Sequence, residues 1–260
     1  MAMKLIRTQA GDGIFVNLIK DDRFKHDRIA VNFILPLARE TATGYALLPF
    51  LMQRGYAGCS DFTAFARKLD ELYGATVAGK VSKAGNYQII TLTITHVDDR
   101  YTLNGEPLAE ECARLLAEIV TMPAIENGRF DPEAVATEKN SLADTIAAEV
   151  NDKRSYAVTR CTELLFEGEP LAVKQYGYAD VDAMTPESAA ACYEAMLSTA
   201  AVEITMIGPS AGEAVTGIFR EAFQKALENR NRQPIDPDFE MEQKIPAEVR
   251  RVTEEMDLTQ

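Results

Sequence analysis

Residues 208–212, Gly-Pro-Ser-Ala-Gly, form the clearest catalytic-type motif of the sequence, GxSxG. The motif lies between a predicted strand and a predicted helix, which is where an α/β-hydrolase holds its nucleophilic serine. In that fold an acid and a histidine follow the serine along the chain, whereas no histidine follows Ser210. Ser210 and Glu213 also have the spacing of a capping box, in which both side chains bond backbone N–H groups at a helix start. We therefore predict that Ser210 caps a helix.

The histidines are the next candidates for chemistry, because imidazole binds zinc and transfers protons near neutral pH. The chain has two, His26 and His96. Zinc peptidases that use helical histidines place two of them one turn apart and add a carboxylate ligand. Neither histidine has a second one at that spacing. We predict that both lie in exposed loops and that the chain holds no metal.

Carboxylates recur at helical spacing in one segment, at Glu133, Glu138, Asp144 and Glu149. Paired carboxylates can serve glycosidic or metal chemistry, but the solvated face of a helix commonly carries the same pattern. The solvated face is the favoured interpretation. An unconventional peptidase that uses Ser210, Glu133 or Glu138 stays open as an alternative.

Composition narrows the classes of partner and the compartment. The chain has 260 residues, and 40 Asp and Glu against 27 Lys and Arg give a formal net charge of −13. This balance argues against nucleic acid and against an anionic membrane surface, because both need clustered cations. The apolar run Tyr45–Met52 is too short to span a bilayer. Four widely spaced cysteines favour buried, reduced thiols, so we expect a cytoplasmic protein.

Hydrophobic periodicity and helix-end signals position these candidates on an alternating series of elements. The predicted strands cover 13–19, 28–37, 75–81, 86–97 and 202–207. The predicted helices cover 43–54, 60–73, 106–120, a segment starting at Pro132, 153–166, 185–197 and 211–227. Strand pairs that alternate with runs of helices predict an α+β fold, an antiparallel sheet with helices mainly on one face.

The composition changes after residue 228. Prolines and charges without apolar periodicity predict a linker at 229–250, and alternation resumes at 251–260. We expect one α+β domain over 1–228 and the first residues of a second, homologous domain at 251–260, with the rest of that domain absent from this sequence.

The segment 43–55, TGYALLPFLMQRG, resembles the pitrilysin/insulinase-like metallopeptidases, the inverzincins, whose corresponding helix carries HxxEH. The resemblance spans nearly all of 13–228 and implies the LuxS/metallohydrolase-like peptidase fold. Segments 47–51 and 151–157 resemble a non-catalytic bacterial branch, called YfmF-like, that is associated with aminopentanol modification of elongation factor P. The other matching segments are 72–76, 130–133, 169–171, Tyr176-Gly177, 184–187 and Ile207-Gly208.

The departures from the family pattern fall on its zinc site. On this sequence the HxxEH positions hold Leu47, Phe50 and Leu51, and a shift of one register is no better. The third ligand of the family, a glutamate, falls near Ala136, with Glu138 two residues further on. Without two imidazoles and a general base, zinc hydrolysis has no machinery, so we expect no cofactor. The resemblance implies a catalytically inactive subunit that pairs with an active pitrilysin-like sister subunit.

By the same resemblance, the strand Ala78-Gly79-Lys80-Val81 corresponds to the edge on which active relatives bind peptide by β-addition. Ala78-Gly79 replaces their Asn-Ala pair, so a side-chain anchor is missing while backbone pairing stays available. An empty edge protected by Lys80 and Lys83 is the alternative. Residual peptidase activity and an unrelated scaffold or interaction protein are the alternative functions.

Overall fold

The computed structural model describes residues 5–174, 176, 178–239, 249 and 251–253. The strands are β1 (Leu5–Gly11), β2 (Ile14–Lys20), β3 (His26–Pro36), β4 (Thr76–Ala84), β5 (Tyr87–Val97), β6 (Ile125–Glu126), β7 (Arg129–Phe130) and β8 (Ala201–Gly208). The helices are α1 (Arg39–Met52), α2 (Phe62–Glu71), α3 (Leu108–Thr121), α4 (Pro132–Ala148), α5 (Lys153–Leu165), α6 (Tyr178–Ala183), α7 (Pro186–Thr199) and α8 (Glu213–Leu227). Short 3-10 turns lie at Asp99–Tyr101, Glu149–Asn151 and Pro170–Ala172.

One six-stranded sheet organises the domain, in the order β1-β2-β8-β3-β5-β4. Every neighbouring pair is antiparallel except β2 and β8, which run parallel. The predicted α+β class is therefore confirmed, with one parallel pair inside the expected antiparallel sheet. Strand β1 was not expected from the sequence. It pairs at the sheet edge and exposes Leu5 and Arg7, so it lacks the apolar alternation that marks a half-buried strand.

Within the described residues, helices pack against one face of the sheet, and the other face carries half-buried and exposed side chains. In β3, Ile29, Val31, Phe33 and Leu35 are buried, whereas the intervening positions include the exposed Arg28. Alternate residues of a strand point to opposite faces, so the buried set marks the side covered by α1, α3, α7 and α8. The same alternation in β5 buries Ile90, Leu92 and Ile94. The prediction that the helices lie mainly on one face of the sheet is therefore confirmed.

The segment after α8 lies against the domain as far as it is described. Residues 229–239 have no regular structure. The half-buried guanidinium of Arg232 donates to the Ala200 carbonyl at 2.6 Å, and the Gln233 N–H donates to the Ser198 carbonyl at 3.0 Å. Part of the predicted linker is thus held against the end of α7. The domain boundaries and the second domain at 251–260 remain predictions.

The cysteines are free thiols, but only Cys112 is buried and Cys161 is exposed, so the expectation of burial was wrong for most of them. Among the described residues, no helix is both long and apolar enough to cross a membrane.

Candidate functional site

Helix α1 carries Leu47, Phe50 and Leu51, the positions that the resemblance aligns with HxxEH. It lies between α7 on one side and β4 and β5 on the other. Leu47 and Leu51 are 1% and 4% exposed, and Phe50 is half-buried. Pro49 interrupts the helix's own hydrogen bonds, because proline has no N–H group to donate. The segment is helical because its apolar side chains bury on nearly every side.

No side chain at these positions can ligate a metal. Leucine and phenylalanine offer only carbon atoms, and the alternative register through Ala46 and Pro49 offers no donor either. Within the described part of the chain, no three His, Cys, Asp or Glu side chains are grouped so that they could hold an ion. Leu47 and Leu51 belong instead to the hydrophobic core.

An ion pair joins the end of α1 to α4 near these positions. Arg54 Nη1 donates to Glu138 Oε1 at 2.7 Å, and the two side chains are 30% and 12% exposed. Arg54 lies four residues after Phe50, and its guanidinium lies 5.2 Å from the centre of the Phe62 ring. The family's third ligand falls near Ala136 on the same helix. Because Glu138 is paired with Arg54 and largely buried, it is not part of a solvated face. Glu133 and Asp144 are exposed, as predicted.

A cavity of about 520 Å³ opens beside this ion pair. It lies between the end of α1, the start of α2, the β6–β7 hairpin and the start of α4. Its wall combines Arg54 and Arg129 with Asp61, Asp131 and Glu133. Asp61 and Asp131 are engaged as helix caps, since each accepts a backbone N–H from three residues further on. The helix predicted from Pro132 therefore begins at that residue, with Asp131 as its cap.

The edge strand β4 passes beneath α1. A Cβ atom at Gly79 would lie 2.6 Å from the Pro49 carbonyl oxygen, so only glycine allows this approach of helix to strand. The Gly79 N–H donates to Gln53 Oε1 at 2.9 Å. Near the other end of the strand, Lys83 Nζ donates to the Val173 carbonyl and, at 3.5 Å, to the Leu171 carbonyl. Lys80 is exposed.

Ser210 does not cap α8, so the predicted capping box was wrong. The helix begins at Glu213 after Gly212, and no side chain bonds its first N–H groups. The Ser210 hydroxyl donates to Asp98 Oδ1 at 3.2 Å, and its N–H donates to Asp27 Oδ1 at 2.9 Å. Two buried carboxylates need donors more than an exposed helix start does, because an unsatisfied buried charge is costly.

His96 is also buried, at 2% exposure on β5, so the prediction of an exposed loop was wrong for this residue. Its Nδ1 lies 2.8 Å from the Val97 carbonyl oxygen. His26, at the start of β3, is exposed. Neither imidazole is hydrogen-bonded to Ser210 in the described part of the chain, so the serine lacks the base that would activate it.

Sequence reasoning missed the buried acid Asp27, which pairs in register with His96. Desolvation by burial raises the pKa of Asp27, although hydrogen bonds from Ser210 and the electrostatic influence of the nearby His96 oppose the shift. The signal was present: Asp27 lies two residues before Ile29, and His96 two residues after Ile94, so both continue the buried face of their strands. We define Asp27, His96, Asp98 and Ser210 as the polar cluster.

Comparisons with known proteins agree with the geometry. A "Probable inactive metalloprotease YmfF" from Bacillus subtilis (strain 168) is 28% identical over 238 residues, which cover 91% of this chain and 55% of that protein. A conserved protein from Enterococcus faecalis V583 superposes with a TM-score of 0.78 at 28% identity, over 84% of this chain and 52% of that one. The peptidase M16 inactive domain from Pseudomonas fluorescens gives 0.65 at 18% identity, over 92% and 53%, and shows the fold alone. No family model matches.

The chain is thus similar to a probable inactive metalloprotease and shares the fold of a peptidase M16 inactive domain. It spans about half the length of the relatives it matches. The side chains that the resemblance aligns with HxxEH supply neither a zinc ligand nor a general base.

Proposed function

We propose that this chain is the non-catalytic member of a peptidase pair and assembles with an active pitrilysin-like sister subunit. The observation that carries the proposal is the crossing of α1 and α4, where hydrocarbon side chains and the Arg54–Glu138 pair occupy the place of a zinc site. A peptidase fold without ligands takes part in cleavage only if another chain supplies the metal and the base.

The test is co-expression with a family member that carries HxxEH and is encoded beside this chain. Light scattering after size exclusion is expected to find one copy of each chain in a stable complex. Peptide cleavage is expected from the complex, and none from this chain alone. Separate elution of the two proteins at every concentration, together with an unchanged cleavage rate when they are mixed, would overturn the pairing.

We further propose that β4 adds a peptide strand in the assembled pair. Because Gly79 donates away from β5, strand alternation turns the N–H of Val81 outward as well. The side-chain oxygen of Gln53 already occupies the Gly79 N–H, so an incoming peptide must displace it. Backbone pairing requires no particular side chain on β4, so the loss of the Asn-Ala pair does not prevent it.

Two variants move peptide affinity in opposite directions. Gln53→Ala frees the Gly79 N–H and is expected to tighten peptide binding, whereas Val81→Pro removes an outward donor and weakens it. Proline is tolerated on an edge strand where its N–H would face outward. Fluorescence anisotropy of a labelled peptide measures both variants in the assembled pair, with Val81→Ala and Gln9→Ala as matched controls. Equal affinity in all four variants would rule out β-addition at this edge without affecting the pairing.

A further inference from the structure

Two atoms of the polar cluster are buried without a hydrogen-bond partner among the described residues, Asp27 Oδ2 and His96 Nε2. The two residues are 0% and 2% exposed, and they lie directly opposite each other on β3 and β5. Opposite residues of an antiparallel pair share a face of the sheet, with Cβ atoms about 4.5–5.5 Å apart. The carboxyl group and the imidazole are therefore close neighbours inside the domain.

Both unpartnered atoms are acceptors when Asp27 is ionised and His96 is neutral. His96 Nδ1 lies 2.8 Å from the Val97 carbonyl oxygen, and because a carbonyl only accepts, this nitrogen carries a hydrogen. In a neutral imidazole the other nitrogen, Nε2, is then a bare acceptor. Asp27 Oδ1 accepts the Ser210 N–H at 2.9 Å, and Oδ2 of a carboxylate can also only accept. The pair thus lacks one donor, which a single added proton supplies.

Among the described residues, no cation is paired with Asp27. The cations of the adjoining turns, Arg23 and Arg100, pair with Asp21 and Asp98, and both arginines are exposed. The residues that flank Asp27 along the chain are also exposed: Lys25, His26 and Arg28. The other titratable groups of the neighbouring elements are His96 on β5, Asp98 and Asp99 after β5, Asp21 after β2, and Glu111 and Cys112 on α3. Of these groups, only His96 can become a cation.

Burial also favours a proton on the pair. Desolvation raises the pKa of Asp27 and the charge of Asp98 raises it too, although hydrogen bonds from Ser210 and the electrostatic influence of His96 oppose the shift. The thiol of Cys112 adds no charge, because burial and the nearby acids raise its pKa to about 12. An ionised Asp27 beside a neutral His96 would leave an uncompensated charge in the interior, which is costly.

The GxSxG turn, residues 208–212, is part of the cover over this carboxyl group. A Cβ atom at Gly208 would lie 2.1 Å from Asp27 Oδ1, the same oxygen that accepts the Ser210 N–H. The glycine and the serine of the motif are thus both in contact with Asp27. Movement of this turn would admit water to the carboxyl group.

We propose that Asp27 and His96 hold one proton in common at neutral pH, and that this proton keeps the turn 208–212 closed. The proton is either on Nε2, as an imidazolium beside a carboxylate, or on Oδ2, as a carboxylic acid beside a neutral imidazole. Either form has no net charge and gives each unpartnered atom a partner. Loss of the proton at higher pH leaves a buried carboxylate that is stabilised only when the turn opens to water. The pair involves no residue of α1 or β4, so it does not rest on the proposed function.

Nuclear magnetic resonance of the full chain, labelled with nitrogen-15 and carbon-13 in histidine and aspartate, counts this proton directly. At pH about 7.5 we expect one of two results. Either both ring nitrogens of His96 are protonated, or Nδ1 alone is protonated while the Asp27 carboxyl carbon has the chemical shift of an acid. The exposed His26 supplies the reference signals. A bare Nε2 together with an ionised Asp27 is the result that a bridging water molecule would give, and it would overturn the proposal.

The pH dependence of folding tests the same proton without assigning its position. In an unfolded chain an aspartate loses its proton near about pH 3.9 and a histidine near about 6.5, so above about pH 7 only the folded pair still holds one. The folding equilibrium constant, from urea denaturation, is therefore expected to fall by up to about tenfold per unit of rising pH until the pair releases its proton.

Asp27→Asn is the matched variant, because the amide oxygen can accept the Ser210 N–H and the amide nitrogen can donate to His96 Nε2. It needs no proton, so this fall is expected to disappear, whereas the control His26→Gln is expected to keep it. Protection of the Ser210 amide against hydrogen exchange, corrected for base catalysis, should fall over the same pH range in the parent alone. Equal pH dependence of folding in the parent and Asp27→Asn, or constant protection of Ser210 in the parent, would overturn the proposal.

Discussion

The crossing of α1 and α4 and the polar cluster are two buried regions with opposite chemistry. The resemblance aligns the crossing with the zinc site of active peptidases, and the aligned side chains of Leu47, Phe50 and Leu51 offer only carbon atoms. The polar cluster gathers a serine, a histidine and two aspartates, and the hydrogen bonds of Ser210 only join the turn after β8 to Asp27 on β3 and to Asp98 after β5. Residue types that could do chemistry therefore do not mark the site here; position in the fold does.

The largest effect on stability is expected for a substitution at Gly208, whose backbone packs against Asp27 of the polar cluster. Its φ is +145°, and a Cβ atom would lie 2.1 Å from Asp27 Oδ1, so Gly208→Ala forces a buried carboxylate to move. We expect a loss of about 3 kcal/mol or more in the free energy of unfolding, measured by urea denaturation. Gly217→Ala, within α8 and with no atom near its Cβ, is the control and is expected to stabilise by about 0.5–1 kcal/mol. Equal stability of the two variants would contradict a tightly packed cluster.

Asp98→Asn is expected to have the next largest effect, about 2 kcal/mol at neutral pH. Burial alone would raise the pKa of Asp98, but hydrogen bonds from Arg100 and Ser210 outweigh it and hold the pKa below its ordinary value of 3.8. A lowered folded-state pKa contributes stability above pH 3.8, and this contribution disappears as the pH falls through the folded-state value. The difference between parent and variant should therefore vanish in acid. A difference that is constant from neutral pH to acid would contradict the ion pair with Arg100.

Breaking the ion pair at the other region is expected to cost somewhat less. Glu138→Ala leaves Arg54 half-buried without its partner, for a loss of about 1–2 kcal/mol by chemical denaturation. Glu133→Ala, an exposed acid on the same helix, is the control and should change stability by less than about 0.5 kcal/mol. A double-mutant cycle with Arg54→Met isolates the coupling of the pair. A coupling of zero would mean that the pair does not tie α1 to α4.

The smallest effect is expected for Ser210→Ala, about 1 kcal/mol, because one hydrogen bond to Asp98 is lost while the backbone bond to Asp27 persists. Peptide cleavage by the assembled pair should be unaffected. A cleavage rate that falls by orders of magnitude in this variant, with the complex intact, would assign the serine a catalytic role and reverse the comparison of the two regions.

Periodicity was sufficient for most of the fold. The helix predicted at 43–54 is α1 at Arg39–Met52, and the strand predicted at 86–97 is β5 at Tyr87–Val97. The helix predicted from Ser60 begins instead at Phe62, capped by Asp61, because the aspartate is the residue placed to accept the Ala64 N–H.

The bonding partners of the polar side chains could not be predicted from the sequence, because they are contacts between residues distant along the chain. Whether a polar residue bonds its own helix or a distant carboxylate depends on strand order, which local pattern does not encode. That is why Ser210 was assigned to a capping box, although its partners are Asp27 and Asp98. In the same way, the contact of Glu138 with Arg54 joins residues 84 apart in sequence. The loss of zinc ligands, in contrast, is a statement about residue types and could be made from the sequence.

The zinc content of the purified chain, grown in zinc-supplemented medium and measured by plasma mass spectrometry, tests the central claim most directly. The account predicts that no stoichiometric zinc is retained, because the HxxEH positions offer no ligand atom. One zinc ion per chain that is lost on changing His26 or His96 to alanine would contradict it.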